Sequence, residues 1–236
     1  MLQIIKAADR YHADHGWLST YHHFSFADYY DPDNLSFGPL RVFNDDTVQP
    51  ASGFPPHGHR DMEIVSYVLE GMLEHQDNQG NRGQIHAGEV QVMSAGTGTV
   101  HAEYNPSKTD PVHFLQIWIM PRARGLKPRW EQQQFTAAQR LNTLLPVVTP
   151  TDGSAVGPSR LQIDQDATVS VASLEQWRTL THPVGPGRRA YFYAISGALE
   201  VNGTALAPGD QARITDTREL VVGAREPAEL ILIDLP

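Results

Sequence analysis

Val65-Ser66-Tyr67-Val68-Leu69-Glu70-Gly71 can be laid over Tyr191-Phe192-Tyr193-Ala194-Ile195-Ser196-Gly197 at an offset of 126 residues. Further on, Ala87-Gly88-Glu89 falls on Pro208-Gly209-Asp210 at an offset of 121, as if the second copy had a hairpin loop five residues shorter. The first matched stretch is strand length and ends at a glycine in both copies. A repeat of this period predicts two related β modules of roughly 100 residues each. We place them at residues 1–133 and 134–236.

The surrounding sequence agrees with an all-β chain. Apolar runs such as Ile64–Leu69, Val90–Met93, Phe114–Met120, Ala190–Ile195 and Leu230–Leu235 are bounded by Gly, Pro, Asn or Asp. Asn202-Gly203 has the residues preferred in a two-residue hairpin turn, and Asp77–Gly83 reads as a longer hairpin loop. Thr136 and Gln139 match a capping box, which predicts a short helix to about Asn142 between the modules.

Composition removes several functions. The chain has no cysteine, so thiolate ligation, thiol catalysis and disulfides are excluded and any metal must be held by nitrogen and oxygen. Its 27 acidic and 18 basic residues give a formal charge of −9, which repels phosphate backbones and argues against direct nucleic-acid binding. No apolar stretch approaches the ~20 residues of a spanning helix, so no membrane partner is expected. Met1–Arg10 lacks the apolar core of a secretion signal, and the expected location is cytoplasmic.

The chemistry is concentrated in the first module. Pro56-His57-Gly58-His59-Arg60-Asp61-Met62-Glu63 is followed about forty residues later by Gly96-Thr97-Gly98-Thr99-Val100-His101-Ala102-Glu103. Residues i and i+2 of a strand share a face, so His57 pairs with His59 and His101 with Glu103. Two such pairs on neighbouring strands can converge on one ion. Imidazole and carboxylate suit one divalent transition metal, which can be Fe, Ni, Co, Mn, Cu or Zn. By the linear offset the second copy carries Pro183, Gly185, Val222 and Ala224 at these positions, so it is expected to bind none.

Other polar residues have simpler readings. His12, His15, His22 and His23 lack strand-face spacing and read as loop or surface residues; His75 and His86 flank the polar hairpin and read as solvated. Asn44-Asp45-Asp46 reads as turn chemistry first and a pocket rim second. Phe24, Phe26, Tyr29 and Tyr30 could close a pocket or cover a barrel edge, the latter being expected, and His113 could support the site from a nearby strand.

At these residues the sequence resembles the cupin superfamily. Gly53, His57, His59, Glu63 and Gly71 follow its first motif; Gly88, Ser94-Ala95-Gly96 and His101 follow its second, with Ser in place of Pro. The runs His57–Glu63, Tyr67–Gly71, Met93–Gly98, His101–Tyr104, Arg41–Asp46 and Gln116–Ile119 resemble the pirin branch, and the likeness covers the whole chain. It implies a bicupin of two antiparallel, jelly-roll β-barrels with few short helices. It also selects Glu103 over Glu63 as the fourth ligand. Glu63 lies four residues, ~13 Å of extended strand, beyond His59, which leaves it a supporting position outside the ligands.

The resemblance further implies a metal-dependent dioxygenase. Its substrates would be dioxygen and a flavonol such as quercetin, cleaved at the 2,3 bond with release of carbon monoxide. Glu103 would be the catalytic residue, accepting the proton of the 3-hydroxyl. Eukaryotic pirins act instead as metal-dependent protein partners of transcription regulators, which makes a non-enzymatic binding protein the alternative. A third possibility is isomerisation or oxidation of a small acid.

Overall fold

The computed structural model describes residues 1–153 and 159–236 of the chain. These resolve into two compact units. Residues 11–134 and 161–165 form the first unit, and residues 1–10, 135–160 and 166–236 form the second. No helix among the described residues is long and apolar enough to cross a membrane.

In chain order, β1 (Leu2–Ile5) precedes a 3-10 turn and then β2 (Tyr11–Asp14), β3 (Leu18–His22), β4 (Leu40–Val48) and β5 (Gly53–His59). Next come β6 (Glu63–Glu70), β7 (Met72–Asp77), β8 (Arg82–His86), β9 (Glu89–Ser94), β10 (Thr99–Tyr104), β11 (Val112–Ile119) and β12 (Arg129–Gln134). The capping box at Thr136 is formed, but the helix it starts, α1 (Ala137–Arg140), is a single turn. The remaining strands are β13 (Leu145–Pro150), β14 (Gln162–Ile163), β15 (Thr168–Leu174), β16 (Thr179–Pro183), β17 (Arg189–Ser196) and β18 (Leu199–Val201). They end with β19 (Thr204–Leu206), β20 (Gln211–Ile214), β21 (Glu219–Ala224) and β22 (Ala228–Leu235). Asn202 and Gly203 both have positive φ, 47° and 80°, as the tight β18–β19 turn requires.

Each unit contains a large and a small antiparallel sheet. In the first unit the orders are β12-β9-β6-β11-β4-β3-β2 and β5-β10-β7-β8. In the other, β1-β20-β17-β22-β15-β13 corresponds to the first and β16-β21-β18-β19 to the second. Strand pairing reproduces the repeat: Tyr67 faces Val90 and Leu115, while Tyr193 faces Gln211 and Ile231. The fold is thus the two-barrel cupin architecture. The first ten residues belong with the second unit rather than the first, because β1 pairs with β20.

The two interiors differ. The second unit packs one apolar cluster that includes Phe192, Ala212, Leu220, Val222, Ala224 and Leu232. In the first unit one apolar cluster holds Leu18, Val48, Val68, Leu73, Ile85, Val112 and Phe114. Buried polar side chains occupy part of its interior, among them Ser66, Gln91, Gln116 and Glu103. In one row across the sheet, Gln91 faces Ser66 and Ser66 faces Gln116; the matching row of the other unit is Ala212, Phe192 and Leu232.

The repeated glycine has a steric cause. Gly71 turns the chain from β6 to β7 at φ 77°, and an added Cβ would meet the Pro111 carbonyl oxygen at 2.6 Å; Gly197 repeats this against Pro227 at φ 71°. We predict that Gly71→Ala destabilises the protein by at least ~1–2 kcal/mol from the left-handed backbone alone. A chemical denaturation midpoint equal to wild type would refute the assignment.

Candidate metal centre

β5 and β10 are hydrogen-bonded neighbours in which His57 pairs with His101 and Thr99 with His59. Alternation on β5 and the cross-strand step to β10 bring three imidazoles together. Ring centroids are 4.4 Å apart for His57 and His101, 4.7 Å for His57 and His59, and 4.9 Å for His59 and His101. One nitrogen from each lies within 4.8 Å of the others, close enough to share an ion.

Between His101 and Glu103 the register shifts, so Pro55 and Pro56 together face Ala102. β5 is an edge strand, where prolines and a bulge are tolerated because no ladder hydrogen bond is lost. The bulge also supplies an acceptor for His57, whose Nδ1 lies 2.8 Å from the Pro55 carbonyl oxygen. A carbonyl only accepts, so Nδ1 carries the proton and Nε2 keeps its lone pair. His101 Nε2 is buried without a hydrogen-bond partner. Such an atom is costly unless something binds it, and a metal ion answers that need.

Burial also makes these rings good ligands. It is the largest influence lowering His59 to about 4, followed by the charges of His101 and His57. His101 is lowered to about 3 by burial, then by His57 and His75. Both are neutral near pH 7, the protonation state that a metal requires.

Glu103 is buried and held in place by uncharged donors. Gln91 Nε2 donates to one oxygen at 2.5 Å and Gln116 Nε2 to the other at 2.9 Å. Ser66 Oγ bridges the clamp, 2.7 Å from Gln116 Oε1 and 3.0 Å from Gln91 Nε2. Trp130 Nε1 donates to Gln91 Oε1 at 2.8 Å, which fixes the amide with its NH2 toward Glu103. Ser66 Oγ also lies 3.4 Å from the oxygen that Gln91 contacts, so the other oxygen, which accepts only from Gln116, keeps a lone pair for a further bond.

Residues 5–119 match the family model described as Pirin, and residues 148–235 match that of the quercetinase C-terminal cupin domain. Over 236 residues the chain is 43% identical to an Escherichia coli K12 protein named quercetin 2,3-dioxygenase, spanning 100% of this chain and 99% of that one. The chain belongs to the pirin family. A pirin-like protein of Caulobacter vibrioides is 46% identical over 94% of each chain. The bacterial pirin YhhW of E. coli in complex with nickel(II) superposes with a TM-score of 0.93 at 42% identity, covering 100% of this chain and 99% of that one. A divalent metal in a pirin barrel of this kind is therefore consistent with the donor set found here.

Other expected residues are placed differently. Glu63 is buried at the start of β6, where Ser94 Oγ donates to it at 2.6 Å and Arg129 lies 3.8 Å away. It joins neither group of metal-competent donors among the described residues. Burial, the largest influence, raises its carboxyl above the ordinary value against those two partners. His113 lies 2.6 Å from Asp45 on the neighbouring strand. Burial alone would lower it, but the bond to Asp45 and its charge raise it overall.

Several polar residues read as solvated or as turns are interior. His75 is fully buried and, with His101 and Glu103, forms a second group of metal-competent donors. His22 and His23 are buried rather than on the surface. Asn44-Asp45-Asp46 lies within β4 and not in a turn, with Asn44 and Asp46 buried. Burial pushes the Asp46 carboxyl up to about 7. Of the aromatic group, Phe26 packs edge-on against Trp118, which packs edge-on against His59; Tyr30 is exposed.

The second unit corrects one detail of the repeat. Leu180 pairs with Val222 as His57 pairs with His101, so the residues of β16 that match His57 and His59 are Leu180 and His182 rather than Pro183 and Gly185. His182 Nε2 is 2.8 Å from Asp234, and no metal-competent group occurs among the described residues of that unit.

The lowered histidines have a consequence for stability. Between about pH 6.5 and 4 the unfolded chain binds a proton at His59 that the folded chain refuses, so stability falls as pH falls through that window. Carboxyls raised by burial give the opposite slope, so the comparison is made against His59→Asn. In chelator, the urea midpoint of wild type should fall more steeply than that of the variant from pH 7 to 4.5. Parallel profiles would show that His59 is not held neutral by the fold.

Proposed function

We propose that this chain is a metal-dependent dioxygenase that cleaves a flavonol such as quercetin at the 2,3 bond and releases carbon monoxide. His57, His59, His101 and Glu103 would hold one divalent ion in the first barrel. The observation that carries this reading is a buried carboxylate, oriented by Gln91 and Gln116, on the same strand face as one of three convergent imidazoles. The name of the E. coli relative supports the substrate class, and the nickel(II) complex of the bacterial pirin YhhW supports the metal.

Bound there, a divalent ion would lower the pKa of a hydroxyl presented to it and fix that oxygen's direction. Glu103 would take the proton released from the flavonol 3-hydroxyl. Gln91 and Gln116 keep its oxygens in place, so no reorientation is needed when the proton arrives. Trp118 and Phe26 form an apolar aromatic wall beside His59, suited to one edge of a flat polyphenol. A purely structural ion would not need the open position that this ligand count leaves.

Aerobic incubation with quercetin should bleach its near-visible absorbance and release carbon monoxide. Absence of turnover with Fe, Ni, Co, Mn and Cu each loaded would overturn the enzymatic reading. We expect one metal per chain. At equal metal occupancy, Glu103→Gln should lower turnover by ~10² or more, a typical contribution from a general base. Glu103→Gln should also weaken metal binding, whereas Glu63→Gln should retain metal and a substantial part of the activity. The reverse pattern would move the carboxylate ligand to Glu63.

A further inference from the structure

We propose that His75, backed by Asp77, acts as a positioning residue that holds the proton of His101 on Nδ1 and so keeps Nε2 available to the metal. This rests on the reading of His101 as a ligand.

The argument starts at the carboxylate. Asp77 closes the β7–β8 hairpin, its oxygens accepting from the backbone of Gln79 and Asn81 at 2.9 Å each and from Asn81 Nδ2 at 2.8 Å. Three N–H donors converge on its two oxygens, so the carboxylate acts as an acceptor. His75 Nε2, 3.4 Å from Asp77 Oδ2, is then the nitrogen that carries a proton toward it. That leaves the lone pair of the His75 ring at Nδ1. His101 Nδ1 lies 3.4 Å from that atom and must be the donor. With its proton on Nδ1, His101 has a lone pair on Nε2, the buried atom that has no other partner.

The ring of His75 is held for this task. It is fully buried and stacked on Trp130, with centroids 5.1 Å apart and planes 13° from parallel. A carboxylate behind a histidine behind a ligand is an extended form of the outer support that fixes ligand tautomers and raises their basicity. His75, His101 and Glu103 could themselves surround an ion. An ion between the two Nδ1 atoms would place a proton on His101 Nε2, leaving a buried donor without an acceptor and removing His101 from the His57 and His59 set. The relay leaves no such orphan.

Two measurements test this. The first needs no variant: imidazole nitrogen NMR spectra of the metal-free protein at neutral pH should show His101 as the Nδ1–H tautomer. Finding it as Nε2–H would overturn the relay. The second is nickel(II) affinity, measured by chelator competition on untagged protein. His75→Phe keeps a ring against Trp130 but removes both nitrogens, and should weaken binding about 10–100-fold. His75→Asn, which restores an acceptor oxygen close to the position of Nδ1, should recover part of that loss, whereas a purely structural role would favour Phe. Unchanged affinity in His75→Phe, alongside loss in His101→Ala, would overturn the relay and leave the ligand assignment standing. Unchanged affinity in His101→Ala would overturn both. Binding that survives His57→Ala and His59→Ala but not His75→Phe would place the ion between His75 and His101 and overturn the proposal.

Discussion

The site depends on the pairing of β5 with β10. A single register, His57 against His101, puts two strand-alternating pairs side by side, and a one-residue slip of either strand would turn its pair to the opposite face. The bulge at Pro55 and Pro56 limits that freedom, since it absorbs one extra residue on an edge strand that no further neighbour constrains. The same bulge supplies the carbonyl that orients His57. Backbone geometry and ligand tautomer are thus set by one local irregularity.

Electrostatics then follow from position. His59 and His101 sit where burial keeps them neutral, and Glu103 is contacted by amides and a hydroxyl rather than by a cation. A lysine or arginine in that place would form an ion pair with the carboxylate and compete with a metal for it. Neutral donors orient the oxygens while leaving their charge available.

The repeat, the strand runs and the alternation of His57, His59, His101 and Glu103 were legible because each is a periodic signal along one strand. His75, His22 and the Asn44–Asp46 stretch were not. A polar residue facing a partly polar barrel interior has the same alternation as one facing water, and asparagine and aspartate also favour turns. The linear repeat could not reveal that the connection from β16 to β17 is longer than that from β5 to β6 either, so it misplaced the inward residues of β16 by three positions, an odd number that reverses the face. A usable signal was present in the matched stretches, where Ser66 stands against Phe192. One copy has a small hydroxyl where the other has a large core residue, which marks the barrel whose interior is kept polar.

That contrast makes the second barrel an internal reference for what the architecture selects when no chemistry is required of it. Gln91, Ser66 and Gln116 occupy positions that Ala212, Phe192 and Leu232 fill with ordinary core packing. Burying three polar groups in that row gives up apolar contact and demands that every donor and acceptor be matched. After a duplication, drift toward hydrophobic residues at those positions would raise the stability of a copy while disabling it. The second unit has the composition expected of a copy released from that conflict, and the first that of a copy still held by the trade-off between stability and activity.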